Sequence, residues 1–442
     1  MSRNRIGRAA SPRTRALVIG GGIAGVLTAN ALLRFGNDVV LVDKGKPEDR
    51  CSFGNAGSLS PGSVAPLGMP GVMTTVPGMM IGEAAPLRIR PGYFLPVLPW
   101  LTRFVLSSSK RRVEQISHAL SDLLADSVER FDELLKEIDA VDLIRRNGQL
   151  QLYRSQRQKS KDSEVWSLRR RRGVEVWDLD RDDILQLEAN IGPIYTCGVF
   201  LPNEGMVTDP ARLVEVFTRD FVRSGGEVIT AEAVGFDEDT GKAKAVITNR
   251  GAIPADAIVI TAGAWSNVLS RLAGNDVPLI TQRGYHLTLP GRHDVLTRPV
   301  VAADRKFFVT PMDMGLRVAG TVEFDSLYAP PNAARARALA SALPDLLPEI
   351  EVTEQTTWMG HRPCMPDSLP IIDRASGLSN VFYAFGGGHL GLTSAPRMAQ
   401  LVTDLVLGRR PNMDISPFSV DRFSGSARNR HAASSDPIPV TR

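Results

Sequence analysis

Short unbroken apolar runs alternate with stretches of helical periodicity at the start of this chain. Ala16-Leu17-Val18-Ile19 is a run of the first kind and predicts a buried strand. From Val26 to Phe35 the apolar positions recur at helical spacing and stop before Gly36, a residue suited to a helix C-terminus. Val39-Val40-Leu41-Val42 repeats the strand pattern and ends on Asp43. Together these make a βαβ unit. Further on, Val113–Ile138 carries Leu120, Leu123, Leu124, Val128, Phe131, Leu134 and Leu135 on one helical face. Gly148–Tyr153 alternates with period two, Leu150 and Leu152 to one side and Gln149, Gln151 and Tyr153 to the other. Arg154–Arg172 reads as a charged helix, Val174–Leu179 as a short strand and Asp182–Glu188 as a short helix.

The second half repeats these signals. Asp209 with Pro210 predicts a capped helix start, and Ala211–Ser224 runs to Gly225-Gly226. Val228–Phe236 reads as a strand, and Ala243–Thr248 pairs with Ile253–Ala257 across Asn249-Arg250-Gly251. Ala257–Ile260 is another buried strand, running into Ala262-Gly263 and a helix. Thr281–Leu289, Lys306–Thr310 and Leu316–Thr321 form a second strand-rich region, and Ala333–Leu343 is a helix. Arg362 sits on a turn bounded by Gly360 and Pro363. Leu369–Ile372 and Val381–Phe385 are strands, followed by the helix Ser394–Leu407.

Glycine adds chemistry to this pattern. Gly20-Gly21-Gly22-Ile23-Ala24-Gly25 joins the first strand to its helix and satisfies GxGxxG. In such a turn the first glycine permits the tight bend, the second lets a pyrophosphate approach the backbone, and the third lets helix and strand pack closely. The helix N-terminus supplies N–H groups for phosphate, and an acid at Asp43 can accept from ribose hydroxyls. Cys51–Ser58 is a small-residue loop just after the second strand, where Ser52 and Asn55 could bond a flat ligand. A second glycine turn, Gly386-Gly387-Gly388, lacks GxGxxG spacing. The economical reading is one large cofactor clamped between both turns.

Composition narrows the class. The chain has 442 residues, enough for two domains, with 43% hydrophobic and 23% charged residues. Its formal charge is +4, much of it at Arg3, Arg5, Arg8, Arg13 and Arg15. This start reads as a disordered basic arm, with an organelle transit peptide as the alternative, and no secretory-type apolar segment follows it. Arg169–Arg172 lacks interleaved aromatics and is read as a solvated helix face, not a nucleic-acid site. The three cysteines, Cys51, Cys197 and Cys364, have no metal-ligand spacing and suit a reducing compartment. Val72–Leu106 is apolar but broken by prolines and arginines, so it is no transmembrane helix. It is read as packing under a domain, with contact of Tyr93, Phe94, Trp100 and Phe104 with a membrane surface as the second reading.

Taken together, these stretches resemble the FAD-dependent D-amino-acid oxidase-like superfamily, most of all its D-amino-acid dehydrogenase branch. The resemblance is carried by Ser52-Phe53-Gly54-Asn55-Ala56-Gly57, Ser60-Pro61-Gly62, Ala262-Gly263-Ala264-Trp265-Ser266, Arg283-Gly284-Tyr285, Gly360-His361-Arg362-Pro363 and Gly388-His389-Leu390-Gly391. It covers roughly residues 15–423. It implies an α/β fold, with a Rossmann-type FAD-binding domain interleaved with an α+β substrate domain on a mostly antiparallel sheet. The expected division is 15–90, 200–281 and 356–423 for FAD and 91–199 and 282–355 for substrate, with disordered tails at 1–14 and 424–442. The cofactor is expected to be non-covalent FAD. Its expected contacts are Gly20, Gly22, Ile23, Ala24 and Gly25; Asp43 and Lys44; Ser52, Asn55, Ala56 and Gly57; Val234, Ala262 and Gly263; and Gly388, His389, Gly391, Leu392 and Thr393. Two departures bear on the substrate, Ser368 in place of a frequent glycine and Leu390 in place of an arginine of the glycine-oxidase-like members. Cys364 lies near the region of covalent flavin attachment in sarcosine oxidases but is read as unmodified.

The implied reaction is oxidative deamination of a D-amino acid, by hydride transfer from the α-carbon to flavin. Arg362 is expected to bind the substrate carboxylate; its rival reading is an arginine tied to Asp367 or Asp373. Of Tyr285 and His286, alternation lets only one face the substrate, the rival being cross-strand packing of both. A secondary amine such as D-hydroxyproline, sarcosine or an opine is the alternative substrate, and a non-catalytic electron-transfer or scaffold subunit the alternative class. The expected partners are the small-molecule substrate and an acceptor such as quinone, with no nucleic acid. The expected location is cytoplasmic, with peripheral contact at the inner membrane face as an alternative.

Overall fold

Unbroken apolar runs belong in parallel sheets, whose two faces are both covered, and this chain uses them that way. The computed structural model describes residues 14–73, 87–352 and 354–426. A six-stranded sheet runs in the order Glu227–Thr230, Asp38–Asp43, Arg15–Ile19, Ala257–Ile260, Val381–Phe385, Ile371–Arg374. All its pairings are parallel except the last. Ala16, Val18, Leu41 and Val259 face a core shared with the helices Ile23–Arg34 and Gly391–Val406. Leu17, Ile19, Val42 and Ile260 face the opposite core.

The second sheet has nine strands and is mostly antiparallel. Leu287, Val318, Val309, Val300 and Leu150 lie in register across it and pack on the helix Ala333–Leu346. The adjacent register rows point to the other face. One contains Thr288, Arg317 and Thr310, and the next His286, Ala319, Phe308, Val301 and Gln151. That mixed face turns toward loop 51–60. Two further sheets of three strands each complete the pairing.

Several expected elements divide. Val113–Ile138 is two helices, Lys110–Leu124 and Ser127–Lys136, because Asp126 takes a left-handed φ of 56° between them. Arg154–Arg172 is likewise two, Gln156–Ser160 and Ser163–Arg171. Val228–Phe236 breaks after Thr230, its halves joining different sheets. Arg362 stands on a strand, not a turn: Thr356–Cys364 pairs along its whole length with Ile280–Leu289 at the edge of the large sheet. Gly360 and Pro363 are tolerated there because an edge strand has one unpaired side.

The segment Val72–Leu106 is described from 87 onward, together with 72 and 73. Its helix Phe94–Ser107 buries Val97 and Trp100 but leaves Leu95 at 76% and Leu106 at 69% exposure, so packing under a domain accounts for one face only. No helix among the described residues is long and apolar enough to cross a membrane. The expectations for the tails fall outside the described residues, except at residue 14 and residues 424–426.

Candidate active site

The first glycine turn divides its work among its residues. Gly20 has φ +113°, and a Cβ there would lie 2.5 Å from the Thr261 carbonyl oxygen. At Gly25 a Cβ would collide with the Gly20 carbonyl oxygen. Gly22 differs: a Cβ there would meet only Ser52 Oγ, at 3.4 Å, with open space beyond. Gly20 and Gly25 therefore serve the fold, and Gly22 keeps room for a ligand. Ile23 N–H at the helix start donates to Ser52 Oγ at 3.0 Å, which ties the loop to the turn.

Asp43 accepts from Gly21 N–H at 2.5 Å, from Gly45 N–H at 3.1 Å and from Arg50 Nε at 3.2 Å. Lys44 pairs with Glu232 at 2.9 Å and lies 4.7 Å from the Trp265 ring centroid. A cavity of about 1000 Å³ opens along these groups. Gly20, Gly22, Ile23 and Ala24 line it, as do Asp43, Lys44 and Val234, the last at a bulge of its strand. Ser52, Asn55, Ala262, Gly263, Gly388, Gly391, Leu392 and Tyr285 line it too. Gly25, Ala56, Gly57, His286, Arg362, His389 and Thr393 do not reach its surface.

Those absent from the lining have visible tasks. His286 Nδ1 donates to Gly54 O at 2.9 Å, and Arg317 Nη1 donates to Asn55 O at 2.7 Å. Burial, then the charge of Arg317, pushes the His286 imidazole down to about 3, so it stays neutral. Its ring stacks on Trp358 at 5.0 Å. Asn55 Oδ1 accepts from Gly57 N–H at 2.8 Å, and Thr393 Oγ1 accepts from Ser60 N–H at 3.1 Å. Tyr285 lines the cavity, but its hydroxyl is committed: it donates to Glu323 at 2.5 Å and accepts from Asn332 N–H.

Arg362 crosses over Gly284, where any side chain would strike its guanidinium. Its one hydrogen bond among the described residues goes to Thr321 O at 3.3 Å. Asp367 pairs with Arg422 at 2.8 Å, and Asp373 accepts from Ser419 and Val420, so neither carboxylate meets Arg362. The charge of Arg362 is felt at Cys51, Cys364, His286 and His389. Ser368 occupies φ 64°, which explains why glycine suits that position; its hydroxyl compensates by accepting from Leu67 N–H at 3.2 Å.

This turn, with an open second glycine and an acid at the next strand tip, fits a dinucleotide. Residues 15–405 match the family described as FAD dependent oxidoreductase. The chain belongs to that family. It is 38% identical to a D-amino-acid oxidase of Bradyrhizobium diazoefficiens over 92% of this chain and 98% of that protein. It is 27% identical to a D-amino acid dehydrogenase of Rhizobium rhizogenes, over 92% of this chain and 99% of that one. Among solved structures, glycine oxidase from Geobacillus kaustophilus superposes with a TM-score of 0.72 at 20% identity, covering 92% of this chain and 99% of its own. Iminodiacetate oxidase from Chelativorans sp. BNC1 gives 0.68 at 21% identity, over 92% and 98%. The α/β, FAD-binding fold is thus the family's, and the cofactor is FAD.

Sequence reasoning missed Arg50, Cys51, Trp265, Trp358 and His361 as cavity residues. His361 packs edge-on against Trp265 at 5.4 Å and bonds Thr281 Oγ1 at 2.9 Å. Only the strand register, absent from a one-dimensional pattern, reveals these. The glycine division gives a test. Gly22→Ala should leave the melting temperature of the FAD-free protein unchanged while weakening FAD at least about tenfold, about 1.4 kcal/mol. Gly25→Ala should lower that melting temperature by an amount equivalent to about 2 kcal/mol or more. Fluorescence titration and differential scanning calorimetry measure the two effects separately.

Proposed function

We propose that this chain oxidises a D-amino acid to its imino acid, which water converts to a keto acid and ammonia. The observation that carries this reading is Arg362, a partly buried guanidinium with no carboxylate partner among the described residues. A forked cation held over a glycine suits a bidentate carboxylate. The name of the 38% identical relative supports the D-configuration.

Bound FAD supplies the hydride acceptor. Gly22, Ala24 and the helix start would hold its pyrophosphate, and Asp43 its ribose. Arg362 fixes the α-carboxylate and so the direction of the α-hydrogen. His286 and Arg317 keep loop 51–58 in place through two backbone carbonyls. Trp265, Trp358 and His361 wall the cavity and exclude water. Burial pushes the Cys364 thiol up to about 12, which keeps it protonated and a poor nucleophile, in keeping with non-covalent flavin.

Electrons leave, in this reading, to a membrane-soluble acceptor such as a quinone. The support is the exposed side of Phe94–Ser107, where Leu95, Leu98 and Leu106 meet solvent. Exposed Lys110, Arg111 and Arg112 follow at once and suit an anionic membrane surface.

Anaerobic mixing with single D- and L-amino acids tests the reaction. Bleaching of flavin absorbance by D-enantiomers only is the expected result; no bleaching by any amino acid refutes it. Arg362→Ala should lower kcat/KM by about 2–4 kcal/mol, with Arg362→Lys recovering part of the loss and FAD content unchanged. Loss of stability with retained kcat/KM would make Arg362 structural. Reoxidation by a quinone should outpace reoxidation by oxygen in stopped flow, and equal rates would refute the acceptor assignment.

A further inference from the structure

One face of the large sheet's edge gives the cavity an uncharged wall. Tyr285 stands two residues before Leu287 and shares its face, which packs on the helix Ala333–Leu346. Its cross-strand partner is Met359, and Thr357 stands opposite Leu287. Tyr285, Met359 and Thr357 all line the cavity, with Ala333 and Ala336 from the start of the helix. These two alanines are three apart and so on one side of it. Their short side chains leave open the space that Leu339 and Leu343 fill further along. Tyr328 lines the cavity and is also 81% exposed, which puts it at the rim.

No Asp, Glu, Lys or Arg lines the cavity from these segments among the described residues. The charged residues of the lining all fall at 43–50 and 232. The Tyr285 hydroxyl is taken by Glu323 and Asn332. Burial, then the bond to Glu323, pushes it up to about 12, so the wall receives a neutral ring. His361, next on this face of the strand, bonds Thr281 at 2.9 Å. Burial, then the charge of Arg283, holds it down to about 4, and it too is neutral. Arg362 belongs to the alternate row, opposite Gln282, with its guanidinium over Gly284. The carboxylate anchor and the uncharged wall therefore lie on opposite faces of one strand. A zwitterion suits the first face, and a neutral planar ring the second.

The rim is tied to the apolar helix Phe94–Ser107. The strand Leu87–Ile89 pairs with residues 322–324, and Arg90 N–H then donates to Phe324 O at 3.1 Å. Asp325 accepts from Arg90 and from Arg283, each at 2.8 Å. Arg283 also donates to the carbonyls of Ala329 and Pro330, just past Tyr328. One carboxylate thus joins the loop carrying Tyr328 to the start of the helix, where Phe94, Leu95 and Leu98 are exposed.

We propose that this wall is the docking site of the electron acceptor, a neutral quinone with an apolar tail. The inference rests on the membrane-soluble acceptor of the proposed function. The quinone ring lies between the Tyr285–Met359 pair and the helix start, and its tail passes Tyr328 toward Phe94–Ser107. Across one turnover the amino acid loses two electrons and two protons, and the quinone gains both and leaves as the quinol. Amino acid and acceptor use opposite faces of Thr356–Cys364 and do not exclude each other.

The test uses the oxidised, FAD-loaded protein and decylubiquinone, with binding followed by quenching of tryptophan fluorescence. Binding should saturate, and saturating benzoate should leave the quinone affinity within about twofold. Ala333→Phe, at an exposed position, fills the space and should weaken the quinone about tenfold or more. Tyr328→Ala should weaken it about threefold or more, and Tyr328→Phe should match the wild type. FAD content and the anaerobic rate of flavin reduction by a D-amino acid should stay within about twofold in these variants. Undiminished quinone affinity in Ala333→Phe overturns the inference, as does displacement of the quinone by benzoate. So does a variant that loses FAD or slows flavin reduction while keeping its quinone affinity, because the wall then serves the flavin or the amino acid. If no amino acid reduces the wild-type flavin, the reading of the reaction has failed, and quinone binding to the oxidised protein still decides this site. If the quinone outpaces oxygen in the wild type but neither Ala333→Phe nor Tyr328→Ala slows it, this inference fails alone.

Discussion

The carbonyl oxygens of Gly54 and Asn55 fix how the large sheet meets the nucleotide end of the molecule. Each accepts from a buried side chain on the mixed face of that sheet, His286 and Arg317. Residues 51–57 have no regular secondary structure of their own before the short strand Ser58–Leu59, so these bonds replace a sheet ladder. A buried hydrogen bond to a charged donor contributes about 1.5–3 kcal/mol, and an unbonded buried donor costs a comparable amount. Both donors are strongly desolvated: the His286 ring is pushed to about 3 and Arg317 down to about 10. The same loop reaches the first glycine turn through Ser52 and the second through Ser60 and Thr393. The two glycine turns and the mixed face of the large sheet are therefore joined by one segment held at both ends.

Edge placement is the complementary constraint. Thr356–Cys364 pairs along its length with Ile280–Leu289 and is bridged on its other side only at Cys364, to Gly387, so the rest of that side stays available to the cavity. The same strand carries His361, which lines the cavity, and Arg362, which crosses Gly284 toward Thr321. A turn in this place would not have separated the two residues so cleanly. A second buried ion cluster lies beyond the strand. Arg283 is fully buried, contacts Asp325 at 2.8 Å and Glu323 at 3.3 Å, and donates to the carbonyls of Ala329 and Pro330. It holds the segment bearing Tyr328 and Pro331 at the cavity rim.

The βαβ unit was legible in the sequence because parallel strands buried on both faces leave continuous apolar runs, and because GxGxxG stands there between a strand and a helix, with a second strand ending on Asp43. Alternation likewise exposed Leu150 and Leu152 as core and Gln149 and Gln151 as the opposite face. The rest depended on pairing between distant segments. No local pattern shows that Arg169 turns inward, 4.8 Å from the centroid of the buried Trp166 ring, while Arg170 turns out to Asp178, or that Arg362 lies on an extended strand. Asp126 ends one helix by entering left-handed backbone, which side-chain periodicity across 113–138 conceals. Trp358 and His361 looked like flanking residues until register placed them along the cavity.

The relation of Arg362 to the cofactor is the point on which the functional reading turns. A crystal structure of the protein with FAD and an aromatic carboxylate that FAD cannot oxidise measures it most directly. The carboxylate should accept both arms of the Arg362 guanidinium at about 2.7–2.9 Å, with the flavin ring against loop 51–58 and the carbonyls of Gly54 and Asn55 still bound to His286 and Arg317. A carboxylate bound elsewhere, with Arg362 still on Thr321 and apart from the flavin, would contradict it.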